Sequence, residues 1–168
     1  MKKPAIIVVL LAGCLVAGSL LAQSLTYVGS AKCQICHKTE NQGQQFPIWQ
    51  NSEHATSFQD LSTPEAQKLA ADAPTNAKCL ACHSPLSDKA PELKAEGVTC
   101  EVCHGPGSEY KKLSIMKNKE EAVKNGLILY ANEEAIKTGC LKCHQNAHNK
   151  AFDLTAYWGK IKHSIPKK

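Results

Sequence analysis

The sequence predicts a mainly α-helical fold with long loops, formed by one domain that follows a short N-terminal targeting segment. Helix start signals recur in short stretches, such as Ser62-Thr63-Pro64-Glu65, where a capping residue precedes a proline in the first turn. No long hydrophobic stretch of strand type follows residue 22. Aromatic residues make up only 5% of the chain, so ordinary side chains provide little material for a core. We therefore expect short helices packed around something other than apolar side chains.

The first 22 residues have the order of a secretory signal peptide, with two lysines, a long apolar run and small residues up to Ala22. Cleavage after Ala22 would leave residues 23–168 as the mature domain. Two alternatives are a lipoprotein signal with Cys14 as the lipidated residue, and an uncleaved membrane anchor. All three predict that residues 23–168 lie in the periplasm or on the outer side of the cytoplasmic membrane, and two of them associate the chain with the membrane.

The mature region contains six predicted helices. They cover residues 50–58, 64 to about 72, 108 onward, 117–125, 133–138 and 153–162. The first carries His54, and the second stops before Pro74. Ser108 is expected to cap the third, directly after the turn formed by Gly105-Pro106-Gly107. The last helix presents His163 near its end.

Eight of the nine cysteines fall in four copies of one motif, Cys-x-x-Cys-His. The copies contain Cys33, Cys36 and His37; Cys79, Cys82 and His83; Cys100, Cys103 and His104; and Cys140, Cys143 and His144. This motif attaches c-type haem. Its two thiols lie about one helical turn apart, which suits addition to the two vinyl groups of one porphyrin edge, and the histidine becomes the proximal iron ligand. The sequence therefore predicts four covalently bound haem c groups that form the core of a compact tetrahaem cytochrome c fold.

Disulfides and zinc sites are the alternative roles for these cysteines. Disulfides suit an exported chain, but they do not explain a histidine after every second cysteine. Zinc sites take four protein ligands from paired elements, so two such sites would leave the four motif histidines without a role. Haem attachment explains both the spacing and the histidine.

Three histidines outside the motifs, His54, His148 and His163, are candidates for the second axial position of the haem irons. The ligand in that position decides between electron transfer and ligand binding. Because four irons would share three histidines, at least one iron must take a different ligand or stay open. Met116, Tyr110 and a histidine of a neighbouring subunit are the alternatives.

All 20 basic residues are lysines, and the formal net charge is +5. Four haems would add eight propionate carboxylates, which outweigh this charge. The basic polypeptide is therefore no sign of nucleic-acid binding. We expect the lysines to pair with propionates or to dock redox protein partners.

Several strings around the motifs resemble the multihaem cytochrome c-554 and c-prime family. The first haem segment of that family is similar to YVGSAKCQICH and IWQNSEHATSF, and its third to GVTCEVCHGPGSEY. Its closing part is similar to SIMKNKEEAVKNGLI, CLKCHQ and FDLTAYWGKIKHSIPK. The resemblance covers nearly all of the mature chain, and the flanking strings give it its specificity because the haem motif alone occurs in many cytochromes.

The resemblance implies an assignment of the distal ligands. His54 would ligate the third haem opposite His104, and His163 would ligate the fourth haem opposite His144. The second haem, on His83, is the one that a tetrahaem carrier within the family leaves five-coordinate.

The chain departs from the family pattern at one position. Tyr110 stands where family members often have a histidine that is a distal ligand, apparently to the first haem. The resemblance therefore leaves the sixth ligand of the first haem open. His148 becomes a candidate for it, with an exposed polar residue as the alternative role.

The function expected from these features is electron transfer between redox partners in respiration, by a carrier rather than an enzyme. One alternative is ligand binding or reduction of nitric oxide, nitrite or hydroxylamine at a five-coordinate haem. Against it, the chain has no arginine for an anionic substrate and no lysine in place of a proximal histidine. A second alternative is a subunit of an extracellular cytochrome filament, in which His148 or His163 would complete a neighbour's haem.

Overall fold

The computed structural model describes residues 24–145 and 147–165, and the regular structure of these residues is entirely helical. The α-helices of this region are α1 (Ser30–His37), α2 (Gln45–Gln50), α3 (Glu53–Asp60), α4 (Pro64–Leu69), α5 (Ala77–His83), α6 (Cys100–His104), α7 (Leu113–Met116), α8 (Lys119–Lys124), α9 (Glu133–His144) and α10 (Leu154–Ile161). Short 3-10 helices cover Glu40–Gln42, Pro91–Glu96 and Ala147–Asn149. The predicted mainly α-helical fold is confirmed.

The predicted signal segment, residues 1–22 with Cys14, lies outside the described residues. In the described part of the chain, every helix is too short or too polar to cross a lipid bilayer.

Each Cys-x-x-Cys-His motif lies at the C-terminal end of a helix. The motif histidines are the last residues of α1, α5, α6 and α9. Side chains cap three of these helices at the other end: Asn76 accepts the Lys78 N–H, Thr99 that of Glu101, and Asn132 that of Ala135. The helices therefore place both thiols of a motif on one turn and carry the histidine past them.

Several helix boundaries differ from the predicted ones. The predicted helix over 50–58 corresponds to α3, which begins only at Glu53 because Ser52 before it is in extended conformation. The cap of α4 is Thr63, whose side chain accepts the Ala66 N–H, and the helix ends at Leu69.

The predicted role of Ser108 is wrong. Its hydroxyl accepts a hydrogen bond from Thr26 N at 3.0 Å, and residues 108–112 form turns before the four-residue helix α7. Ser108 therefore joins the N-terminal segment to the loop after the third motif instead of capping a helix.

The side-chain core of the described residues is small. Its buried apolar residues are Phe46, Leu61, Ala73, Leu86, Ala90, Tyr110 and Ala122. Large apolar side chains remain exposed, among them Ile35 within the first motif, at 71%, and Leu113, at 61%. The apolar core of the described residues is thus small, as expected for a chain whose interior is completed by a bound apolar group.

Glu101 connects the N-terminal segment to the loop after the third motif. Its side chain is 1% exposed. The carboxylate accepts hydrogen bonds from Val28 N at 2.9 Å, Gly29 N at 2.8 Å and Gly107 N at 2.6 Å. These bonds satisfy the buried charge and hold α1 and α6 side by side.

Gly97 and Ser57 position α3 against α5. Ser57 Oγ lies 2.9 Å from His54 O and 2.8 Å from His83 O, so its single proton bonds one of these carbonyls. Gly97 has a φ of +66°, and a Cβ there would lie 2.5 Å from Ser57 Oγ and 2.7 Å from His54 O. This close approach requires glycine.

We expect Gly97→Ala to destabilise the haem-loaded protein by about 2–3 kcal/mol, because the left-handed backbone and the contact with His54 O both oppose a side chain. The matched control is Gly159→Ala in α10, where nothing lies within 4 Å of the added Cβ. That variant should be neutral or more stable by up to about 1 kcal/mol, since alanine favours helix. Guanidinium unfolding followed by circular dichroism measures both, and equal effects of the two substitutions would contradict the assignment.

Candidate metal centres

Each histidine outside the motifs faces one motif histidine. The pairs are His54 with His144, His148 with His83 and His163 with His104, and their ring centroids lie 6.0, 6.1 and 5.7 Å apart. A metal–imidazole bond is about 2 Å long and the ring nitrogen lies roughly 1 Å from the centroid, so two imidazoles on one iron have centroids roughly 6 Å apart. The three separations therefore fit one iron between the rings of each pair.

Backbone carbonyls orient two of the motif histidines. His83 Nδ1 lies 2.8 Å from Ser57 O, and His104 Nδ1 lies 3.4 Å from Ile128 O. An N–H at Nδ1 donates to the carbonyl and leaves Nε2 free to bind a metal, a pattern common among metal-bound histidines. These donors fit haem iron.

The environment favours the neutral form of four of the paired histidines, His54, His104, His144 and His163. Burial lowers the pKa of His54, and the charge of His144 lowers it further. Burial is also the main cause of the lowered pKa of His104, followed by the charge of His163, while the Ile128 carbonyl acts in the opposite direction. The pKa values of His144 and His163 are lowered mainly by burial as well. The neutral imidazole is the form that binds a metal ion.

His37 in the first motif differs from the other motif histidines. The chain has seven histidines, and six of them form the three facing pairs. His37 Nδ1 is buried and has no hydrogen-bond partner among the described residues. The first motif therefore has neither a facing histidine from this chain nor the carbonyl anchor that orients His83 and His104.

The two other candidate ligands have different surroundings. Tyr110 is 6% exposed, and its hydroxyl donates to Gly105 O at 2.8 Å. Burial, followed by the nearby Cys33 and Glu101, raises the pKa of Tyr110, so the phenol stays protonated and hydrogen-bonded. Met116 is half-buried at the end of α7, the four-residue helix after the third motif.

His148 reaches His83 from an unusual backbone conformation. Its φ is 55°, and that of Asn149 is 59°. Two successive non-glycine residues in the left-handed region are uncommon and cost free energy. Such strain is typical of positions whose side chain has a specific task.

The pairing implied by the resemblance differs from the observed one. His54 faces His144 of the fourth motif instead of His104 of the third, and His163 faces His104 instead of His144. His148 faces His83 of the second motif, and not the first motif. The second motif, expected to lack a distal histidine, has one opposite it, and the first motif does not.

Cysteines of different motifs lie next to each other. Cys33 and Cys100 are hydrogen-bonded, and this contact, followed by burial, raises the pKa of the Cys33 thiol. Cys143 likewise contacts Cys82, although burial is the main cause of its raised pKa. The first motif is thus adjacent to the third, and the second to the fourth. None of the eight motif cysteines forms a disulfide, and no group of three or more histidine, cysteine and acidic residues in the described ranges is arranged to hold a metal ion by itself.

Two residues that shape these sites were not predicted from the sequence. Ser57 connects the backbones of His54 and His83, and Glu101 connects the first and third motifs. The position of Glu101 inside Cys-Glu-Val-Cys-His, two residues after a capping threonine, carries a weak signal for a helix-start carboxylate. Nothing in the local sequence of Ser57 distinguishes it from an ordinary helical serine.

Comparison with known proteins finds similarity to c-type cytochromes. Residues 32–105, which contain the first three motifs, match the family model described as cytochrome c554 and c-prime. The chain is 25% identical over 154 residues to cytochrome c-554 of Nitrosomonas europaea, and the alignment covers 79% of this chain and 63% of that protein. No solved structure matches significantly. The family match and this relative support a cytochrome c-554 family assignment.

Proposed function

We propose that this chain is an exported tetrahaem c-type cytochrome that passes electrons between redox protein partners in respiration. The observation that carries the proposal is the set of three histidine pairs, each joining a motif to a distant residue at 5.7–6.1 Å. Similarity to the cytochrome c554 and c-prime family supports covalent haem c and electron transfer.

The bound haem iron would supply the reversible one-electron chemistry. The role of the polypeptide would be to attach the haem, to orient it and to tune its reduction potential. The thiols of each motif would form the thioether bonds, and the paired neutral imidazoles would hold the iron on both sides. Two strong-field imidazole ligands favour little rearrangement between oxidation states, which suits a carrier.

The placement of the motifs supports transfer within the molecule. Cys33 contacts Cys100, Cys82 contacts Cys143, and Cys103 lies near enough to Cys140 for the charge of one to raise the pKa of the other. The motifs thus follow one another in space in the order first, third, fourth, second. Electrons that pass between neighbouring haems would follow the same order.

A mass measurement and a redox titration of the purified protein test the proposal. We expect the mature chain plus four haems, and reversible uptake of four electrons. Mass spectrometry also identifies the N-terminus, which distinguishes cleavage after Ala22 from lipidation at Cys14. A folded, colourless protein whose thiols are paired with one another or bound to zinc would exclude the proposal.

A second candidate function is small-ligand binding or reduction at one haem. The observation that favours it is the count of histidines, because three residues outside the motifs cannot complete four sites.

A further inference from the structure

The three facing pairs use every histidine outside the motifs, so this chain has none left to face His37. We propose that the haem on Cys33 and Cys36 keeps an open position opposite His37 and binds a neutral diatomic ligand there, such as nitric oxide or carbon monoxide. This inference rests on the proposed function and adds the location and chemistry of a ligand site to it.

Tyr110 does not close this position. It lies near Cys33, but its buried hydroxyl donates its proton to Gly105 O at 2.8 Å. A phenol ligates iron best as a phenolate, which requires loss of that proton. Tyr110 therefore packs beside the first motif and does not act as a ligand.

The imidazole of His37 is also held differently from those of the second and third motifs. Its Nδ1 has no hydrogen-bond partner among the described residues, whereas His83 and His104 each have a carbonyl within 3.4 Å. A hydrogen bond at Nδ1 orients the ring and increases its basicity as a ligand. Without that bond, His37 is a weaker donor, and no carbonyl fixes the orientation of its ring.

Charge next to the first motif determines the kind of ligand. Glu96 accepts a hydrogen bond from Ser30 N at 2.8 Å, and Glu101 accepts one from Gly29 N at 2.8 Å. Both carboxylates lie close enough to Cys33 to raise the pKa of its thiol. Two fixed negative charges oppose an anion such as nitrite or cyanide, but they do not oppose a neutral diatomic molecule.

Counting bound carbon monoxide locates the open haem. The haem-loaded full chain is reduced and titrated with carbon monoxide, and total haem is measured separately. We expect one carbon monoxide per four haems in the natural protein. The variants His54→Ala, His148→Ala and His163→Ala should each bind two, because each exposes one more iron. Lys162→Ala, an exposed neighbour of His163, is the control and should bind one.

Two results would overturn the inference. No carbon monoxide on the natural protein means that Met116, another side chain or a partner subunit's histidine closes the first haem. An unchanged count of one in His148→Ala means that the second haem is the open one. A protein with fewer than four haems would instead refute the proposed function, so the two failures are distinguishable.

A measurement on the unsubstituted protein avoids dependence on folding of the variants. In the oxidised form, the high-spin electron paramagnetic resonance signal should account for one haem in four, and Met116→Leu should leave it unchanged. A fully low-spin natural protein would contradict the inference. For the charge effect, Glu96→Gln should strengthen cyanide binding about three-fold or more without changing the carbon monoxide count. Unchanged cyanide affinity would refute the selection against anions.

Discussion

Replacing Glu101 by alanine is expected to lower the free energy of unfolding by at least about 3 kcal/mol. The carboxylate accepts three backbone N–H bonds, from Val28, Gly29 and Gly107, and its side chain is 1% exposed. Each buried donor left without a partner costs about 1–3 kcal/mol. Denaturant unfolding of the haem-loaded protein measures this loss.

The matched control for Glu101→Ala is Glu120→Ala in α8, where the side chain is exposed. It should change stability by less than about 0.5 kcal/mol. A similar small loss for both variants would mean that Glu101 does not hold the first and third motifs together. Haem content must be equal in the compared proteins, because incomplete attachment would lower stability by itself.

Replacing His54 by methionine is expected to raise the reduction potential of one haem by on the order of 100 mV or more. His54 faces His144 across 6.0 Å, so the substitution would change the distal ligand of the fourth haem. A thioether donates less charge to ferric iron than an imidazole does, and histidine–methionine ligation therefore raises the potential. Spectroelectrochemical titration identifies the haem whose reduction potential changes.

Glu53→Gln is the control for His54→Met, since Glu53 is the exposed neighbour of His54 in α3. It should leave the potentials within a few tens of millivolts, as expected for removal of a solvated charge. Four unchanged potentials in the methionine variant would refute ligation by His54. If the reduction potential of the third haem rose instead, His54 would ligate that haem opposite His104, as the resemblance implies. The third haem is identified by its neighbours in the titration.

Local sequence motifs predicted the attachment sites, but the sequence did not predict which distant residues would lie next to each other. A Cys-x-x-Cys-His motif is complete within five residues, and each copy forms one turn of helix whatever surrounds it. The partner of His54 lies 90 positions along the chain, at His144, and no property of either segment identifies the other. Counting histidines predicted that at least one iron lacks a histidine from this chain, and the facing pairs are the basis for the proposal that it is the first.

Helix boundaries show the same division. Proline at the start of α4 and the asparagine before α8 are local signals, and both elements lie close to their predicted positions. Ser108 has an equally good local signal for a cap, yet its hydroxyl bonds Thr26 N, 82 positions away. A tertiary contact overrode the local preference there.

The contacts between thiols of different motifs impose an order of events on the maturation of the protein. Cys33 touches Cys100, and Cys82 touches Cys143, so folding brings together sulfur atoms that belong to separate attachment sites. In an oxidising compartment, neighbouring thiols join readily, and a bridge between two motifs would block addition to both porphyrins. The proposed export and haem attachment therefore imply that reductant protects the polypeptide until its thioethers have formed, and that final compaction follows that chemistry.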